Sequence, residues 1–195
     1  MSIEIDDSAA EPRFGRIRRP WRWAVALVVL VGVVLVAIDL TLAGDVLLVT
    51  VDRPGEEAPR ASLSDEQQSL LDELGNPDGF TIFFVDDGSE SVRMETWSYY
   101  QAGREVSFVD GELSADESPE PAVVTRPTPF TPDLFTPFAD LQQIVTATGV
   151  VEYLEYHVED ELLAGGTVHV AEQLMLGLKD GRLLYVEAVP LAEGG

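Results

Sequence analysis

The run from Trp23 to Ala43 constrains this chain more than any other feature. Its 21 residues carry a single charge, Asp39. At about 1.5 Å per residue, a helix of that length reaches roughly 30 Å, the depth of a bilayer's hydrocarbon layer. A soluble core helix seldom needs such a length. Asp39 lies near the C-terminal end, where an ionised group can reach the interface at far lower cost than at mid-membrane. The run reads as a transmembrane helix over 23–43.

Its flanks orient it. Arg13, Arg16, Arg18, Arg19 and Arg22 crowd the N-terminal side, whereas Asp45 and Asp52 precede the first arginine beyond the run, Arg53. The positive-inside rule then places 1–22 in the cytoplasm and everything after about Gly44 outside, a single-pass protein of the cell membrane. Arg18, Arg19, Trp21, Arg22 and Trp23 form the inner flank of the anchor, with both tryptophans at headgroup level. A cleaved export signal is the rival reading, because Thr41-Leu42-Ala43 offers small residues behind a basic region and an apolar core.

Charge bounds the outer portion. The chain has 35 acidic residues against 12 basic ones, a net charge of −23, and the first 43 residues are balanced. The whole acidic excess therefore falls beyond the anchor. Such a surface repels phosphate backbones, which argues against nucleic-acid partners. Lys179 is the only lysine beside eleven arginines, and there is no cysteine. This composition resembles that of halophilic proteins, whose dense carboxylates keep the fold hydrated in brine. Without disulfides, the outer part must be held by its core, and about 150 residues suffice for one domain.

Segment by segment, 44–61 reads as a stalk, since Asp52 to Ala61 is rich in proline and charge. Ser64 with Gln67 three residues later is a capping box, and Leu70, Leu71 and Leu74 recur at helical spacing before Gly75 and Pro77, which predicts a helix over 65–74. Three strands follow through 79–110, with Val92, Met94 and Thr96 at alternate positions in the second. These elements make a first αβββ unit over 62–110. Six of the twelve prolines lie within 111–137, so that segment is a connector whose Phe130, Phe135 and Phe138 pack against the domain. A second αβββ unit over 138–191 repeats the pattern: a helix ending at Gly149, a strand through 150–160, a strand from Thr167 to Leu178, and a hairpin at Asp180-Gly181. Gln67-Gln68 matches Gln142-Gln143, and Gly103-Arg104 matches Gly181-Arg182, as in a duplication. The expected class is α+β: an N-terminal anchor followed by an extracytoplasmic antiparallel-sheet domain, built as two tandem αβββ units.

Chemistry is sparse. There is no G-x-S-x-G, G-x-x-x-x-G-K or H-E-x-x-H, and no cysteine nucleophile. If the hairpin after the first strand of the second unit turns about Leu163, His157 and His169 stand opposite each other, with Glu155 and Glu159 on the same face. Two imidazoles and a carboxylate at that spacing suit a divalent metal such as zinc. The bland reading is a set of polar residues on a solvated hairpin face, and a one-residue register slip would part them. Trp97, Tyr99 and Tyr100 read as sheet packing or as a ligand platform. The leading expectation is a non-enzymatic, membrane-anchored acidic module that binds another cell-surface protein. The alternative is a metal-binding domain or metal-assisted hydrolase on His157 and His169, and a third is a carrier of a small apolar ligand.

Overall fold

A computed structural model describes residues 46–51, 60–86, 91–137, 139–158 and 166–191. Among these no helix is long and apolar enough to cross a membrane. The 23–43 segment and its flanking Arg18, Arg19, Trp21, Arg22 and Trp23 lie outside the described residues, as does Glu159.

The elements run β1 (Leu47–Thr50), α1 (Asp65–Leu74), β2 (Gly79–Asp86), β3 (Ser91–Tyr99), β4 (Arg104–Val109), β5 (Glu112–Glu117), a one-turn 3-10 helix (Pro132–Leu134), α2 (Leu141–Thr148), β6 (Glu152–Val158), β7 (Gly166–Val170), β8 (Leu174–Lys179) and β9 (Arg182–Ala188). Among the described residues nine strands form one antiparallel sheet in the order β1-β6-β7-β8-β9-β2-β3-β4-β5. Two helices beside an antiparallel sheet make the fold α+β.

Both helices start as the sequence dictates. Ser64 Oγ accepts from the Gln67 N–H and the Gln67 side chain accepts from the Ser64 N–H; Asp140 and Gln143 repeat the arrangement at α2. Each capping box satisfies two backbone donors that a helix leaves open. Each helix then ends at a positive-φ glycine, Gly75 and Gly149. Leu70 from α1 and Ile144 and Val145 from α2 enter one core with Phe80, Ile82, Trp97, Phe108, Leu176 and Val186 from the sheet. The helices thus pack on one face of the sheet, and the opposite face carries no helix among the described residues.

Among the described residues each half is a helix followed by four strands rather than the expected three. Residues 112–117, assigned above to the connector, form β5. Asp110 (φ 51°) and Gly111 (φ 80°) supply the positive φ at both centres that a type I′ hairpin needs. The strand was hidden because β5 is an edge strand whose residues are mostly exposed. In the second half, the single strand expected from Thr167 to Leu178 is a hairpin of β7 and β8, closed at Ala171, whose N–H donates to the Leu174 carbonyl at 2.8 Å. Asp180 (φ 51°) and Gly181 (φ 73°) repeat the Asp110-Gly111 turn. In both hairpins the register shifts between the two residues that lie two and three positions before the turn aspartate, Ser107/Phe108 and Gly177/Leu178. The structural counterpart of Gly181 is therefore Gly111, not Gly103.

Strand pairing adds one element, and side-chain alternation fixes the buried side of another. Residues 47–50, placed in the stalk, are β1, which pairs Leu47, Leu48, Val49 and Thr50 with Glu155, Leu154, Tyr153 and Glu152. In β3 the buried side is Glu95, Trp97 and Tyr99, with Val92, Met94 and Thr96 only half-buried on the other face.

The proline-rich segment is a strap, as its rings predict. Phe135 is fully buried with its ring 5.9 Å from that of Phe80, and Phe130 is buried as well. Phe138 lies outside the described residues. Arg60 bonds Asp133 at 2.8 Å, and Arg93 donates to the Pro132 carbonyl at 2.7 Å and to that of Phe135.

Candidate functional site

The histidine hairpin takes a register two residues away from the expected one. Glu155 pairs with His169, and His157 pairs with Thr167. A shift of two keeps every side chain on its face, so Glu155, His157 and His169 still converge. The Glu155 carboxylate lies between the rings, its oxygens 3.7 Å from His157 Nε2 and 3.6 Å from His169 Nε2. The face is not the solvated one. It is the helix-covered side, where the side chain of His169 is 5% exposed and that of Glu155 18%, and only His157, at 65%, reaches water.

The strand registers relate this buried histidine to a residue of the first half. His169 pairs with Leu176, four residues before Asp180, and Trp97 pairs with Val106, four residues before Asp110. His169 thus holds the place of Trp97, and Thr167 that of Glu95. The local bonds match: Trp97 Nε1 donates to Glu95 Oε2 at 3.0 Å, and His169 Nε2 meets Thr167 Oγ1 at 3.0 Å. With Nε2–H directed at Thr167 and the Glu155 carboxylate, Nδ1 is left as a bare acceptor, a tautomer assigned from the network.

The two halves differ in how this place is satisfied. In the first half the Glu95 carboxylate receives Gln67 Nε2 at 2.8 Å, Arg93 Nε at 2.7 Å, Arg93 Nη2 at 3.0 Å and Trp97 Nε1 at 3.0 Å. Every lone pair has a donor, which is the condition for a buried carboxylate to persist. In the second half His169 Nδ1 is buried without a hydrogen-bond partner, and the Tyr153 hydroxyl is buried with only the Thr148 side chain near it, outside hydrogen-bond geometry; the two rings are 6.0 Å apart and edge-on. Burial pushes His169 below its ordinary pKa; Glu155 opposes the shift and His157 adds to it. Burial raises the Tyr153 phenol to about 12. At neutral pH both groups are uncharged.

For metal chemistry, Glu155, His157 and His169 are brought together and Glu159 is not described. Among the described residues no group of three or more His, Cys, Asp or Glu is arranged to hold a metal ion. Zinc ligands stand about 2.0–2.2 Å from the metal, and His169 Nε2 is already engaged by Thr167. The aromatic platform is absent in the described sheet: Trp97 and Tyr99 are buried in the core, and only Tyr100 is exposed.

One cleft is open beside this hairpin. It encloses about 530 Å³ between the strap, the C-terminal end of α2 and the β7–β8 turn, lined by apolar Phe130, Leu134, Val150 and Leu174 and by polar Glu152, Glu172 and Gln173. Gln173 Nε2 is held by the carbonyls of Pro127 at 3.3 Å and Val189 at 3.1 Å. Sequence reasoning missed both this cleft and the Glu95 network. The signal for the latter was present in Arg93-x-Glu95-x-Trp97, two charges and an indole on one strand face.

Comparison with protein-family models, curated proteins and solved structures returned no match.

Proposed function

We propose that this chain is a non-enzymatic module held at the cell surface by the 23–43 segment, with its acidic sheet domain outside, acting as an accessory subunit for another membrane or surface protein. The observation that carries the reading is the absence of a long stalk: β1 begins at Leu47, only Gly44, Asp45 and Val46 beyond the apolar run. A domain so tethered can reach little except the membrane surface and proteins embedded in it.

The test combines topology with capture. Membranes washed in alkaline carbonate should retain the chain, external protease should remove the domain from intact cells, and crosslinking in native membranes should recover one stoichiometric protein. Mature protein starting near residue 44 and free of membranes, or a domain resistant to external protease because it faces inward, would overturn the reading.

The divalent-metal alternative has the two carboxylate–imidazole approaches of Glu155 in its favour and the Thr167 bond to His169 against it. Metal analysis of untagged protein separates the two. Stoichiometric metal that His157→Ala abolishes would support the alternative, and metal-free protein would remove it.

A further inference from the structure

The sheet face that carries no helix among the described residues differs from the rest of this acidic chain. Its first row runs Leu48, Leu154, Val170 and Met175 across β1, β6, β7 and β8, and meets no charge until Glu187 on β9. The next row runs Tyr156, Val168, Gly177, Tyr185, Phe83 and Met94. Exposure concentrates at the β1 end: Leu48 is 69% exposed, Val46 49% and Leu154 41%. Further in, Val170 and Met175 are half-buried, and Val168 and Tyr185 are buried. Isolated exposed leucines need no explanation, but a contiguous apolar row on a chain of net charge −23 does.

Position identifies the occupant. Leu48 lies four residues beyond Gly44, so even a fully extended chain holds it within roughly 15 Å of the end of the apolar run. Among the described residues, the charge-poor end of this face is therefore the end that follows the apolar run in sequence. The flanking acid on this face is Glu152, exposed and opposite Thr50, so an uncharged or zwitterionic surface suits it better than an anionic one.

We infer that the sheet face opposite the two helices, at β1, β6, β7 and β8, lies against the lipid headgroup layer, with Leu48, Leu154, Val170 and Met175 toward the bilayer and the helices away from it. The inference rests on the anchored reading above and adds the orientation of the domain. A tether alone brings only β1 close. A sheet lying flat also brings Met175 down, three strands in, to the depth of about 5–10 Å at which apolar faces settle at the acyl boundary.

The chain has no cysteine, so Leu48→Cys, Met175→Cys and Ser69→Cys can each carry one fluorophore. Ser69 is exposed on α1, on the far side of the sheet. The full chain is placed in phosphatidylcholine nanodiscs with and without headgroup-level spin-labelled lipid, after melting curves show that each variant is folded. The inference expects quenching at 48 and 175 severalfold above that at 69. Quenching at 48 with 175 no different from 69 means the sheet stands on its edge, and overturns the inference while the anchor survives. Shielding of 175 from both spin-labelled lipid and aqueous iodide means a protein covers the face, and overturns it too. Loss of the chain from the discs removes the anchored reading and the inference with it.

Discussion

Arg93→Ala is the most informative single perturbation of this domain. It deletes both bonds to Glu95, at 2.7 Å and 3.0 Å, and both to the strap, at the Pro132 and Phe135 carbonyls. Glu95, with a side chain 1% exposed, would retain only Gln67 and Trp97 as donors. Breaking a buried ion pair from one side typically costs about 3–5 kcal/mol, because a charge is left uncompensated. The strap carbonyls add about 1 kcal/mol each at most, since water can reach part of that region. A domain of this size has about 5–15 kcal/mol in total, so the variant should lose a large share of its stability. The cost belongs to the stranded carboxylate and not to the pair as such. Glu95→Leu combined with Arg93→Met should therefore fall short of the sum of the single changes by about 2 kcal/mol.

The assay is urea unfolding of the full chain in detergent micelles, followed by far-UV circular dichroism and tryptophan emission. Trp21 and Trp23 are replaced by phenylalanine so that Trp97, itself bonded to Glu95, reports alone. A loss below about 1 kcal/mol for Arg93→Ala, or additivity within about 0.5 kcal/mol in the cycle, would show that the network does not hold the strap and α1 to the sheet.

Three other outcomes are expected. Gly181→Ala and Gly111→Ala both impose a side chain on a positive φ, costing about 1 kcal/mol. Only at Gly111 does the new Cβ meet a neighbour, Ser64 Cβ at 3.0 Å, so that variant should cost about 1 kcal/mol more by disturbing the α1 cap, and equal losses would refute the docking of cap on turn. Burial holds the His169 imidazole below the ordinary histidine value of 6.5. The unfolded chain therefore binds the extra proton, and stability, complete above pH 6.5, should fall as pH drops below it. His169→Gln should flatten the pH dependence of urea midpoints between about pH 5 and 6.5, and an unchanged slope would assign it to other groups. Finally, with a net charge of −23, melting temperature should climb between about 0.1 M and 1 M potassium chloride, where the Debye length shrinks from about 10 Å to 3 Å; a flat response would refute self-repulsion as a limit on stability.

The parts of the fold that could be read from the sequence are those written in local chemistry. Ser64 with Gln67, the glycines at 75 and 149, and Asp180-Gly181 each specify a backbone event within a few residues, and each occurs where it was expected. What escaped depends on partners far along the chain. β1 is only four residues long, and its place in the sheet follows from Glu152 to Glu155, more than a hundred residues on. β5 has the turn signal Asp110-Gly111 but is an edge strand, and an edge strand need not alternate because water satisfies both its faces. Which face of β3 is buried escaped for a related reason. The hydrophobic pattern favoured Val92, Met94 and Thr96, yet the core took Glu95, because Arg93, Gln67 and Trp97 together made a buried carboxylate tolerable, a condition that no window of a few residues contains. The same holds for the histidines. That His157 and His169 share a face with Glu155 follows from the period of two and survives a register shift of two. That His169 is buried while His157 is not depends on its occupying the place of Trp97, which becomes visible only when the two halves are aligned through their Asp-Gly turns.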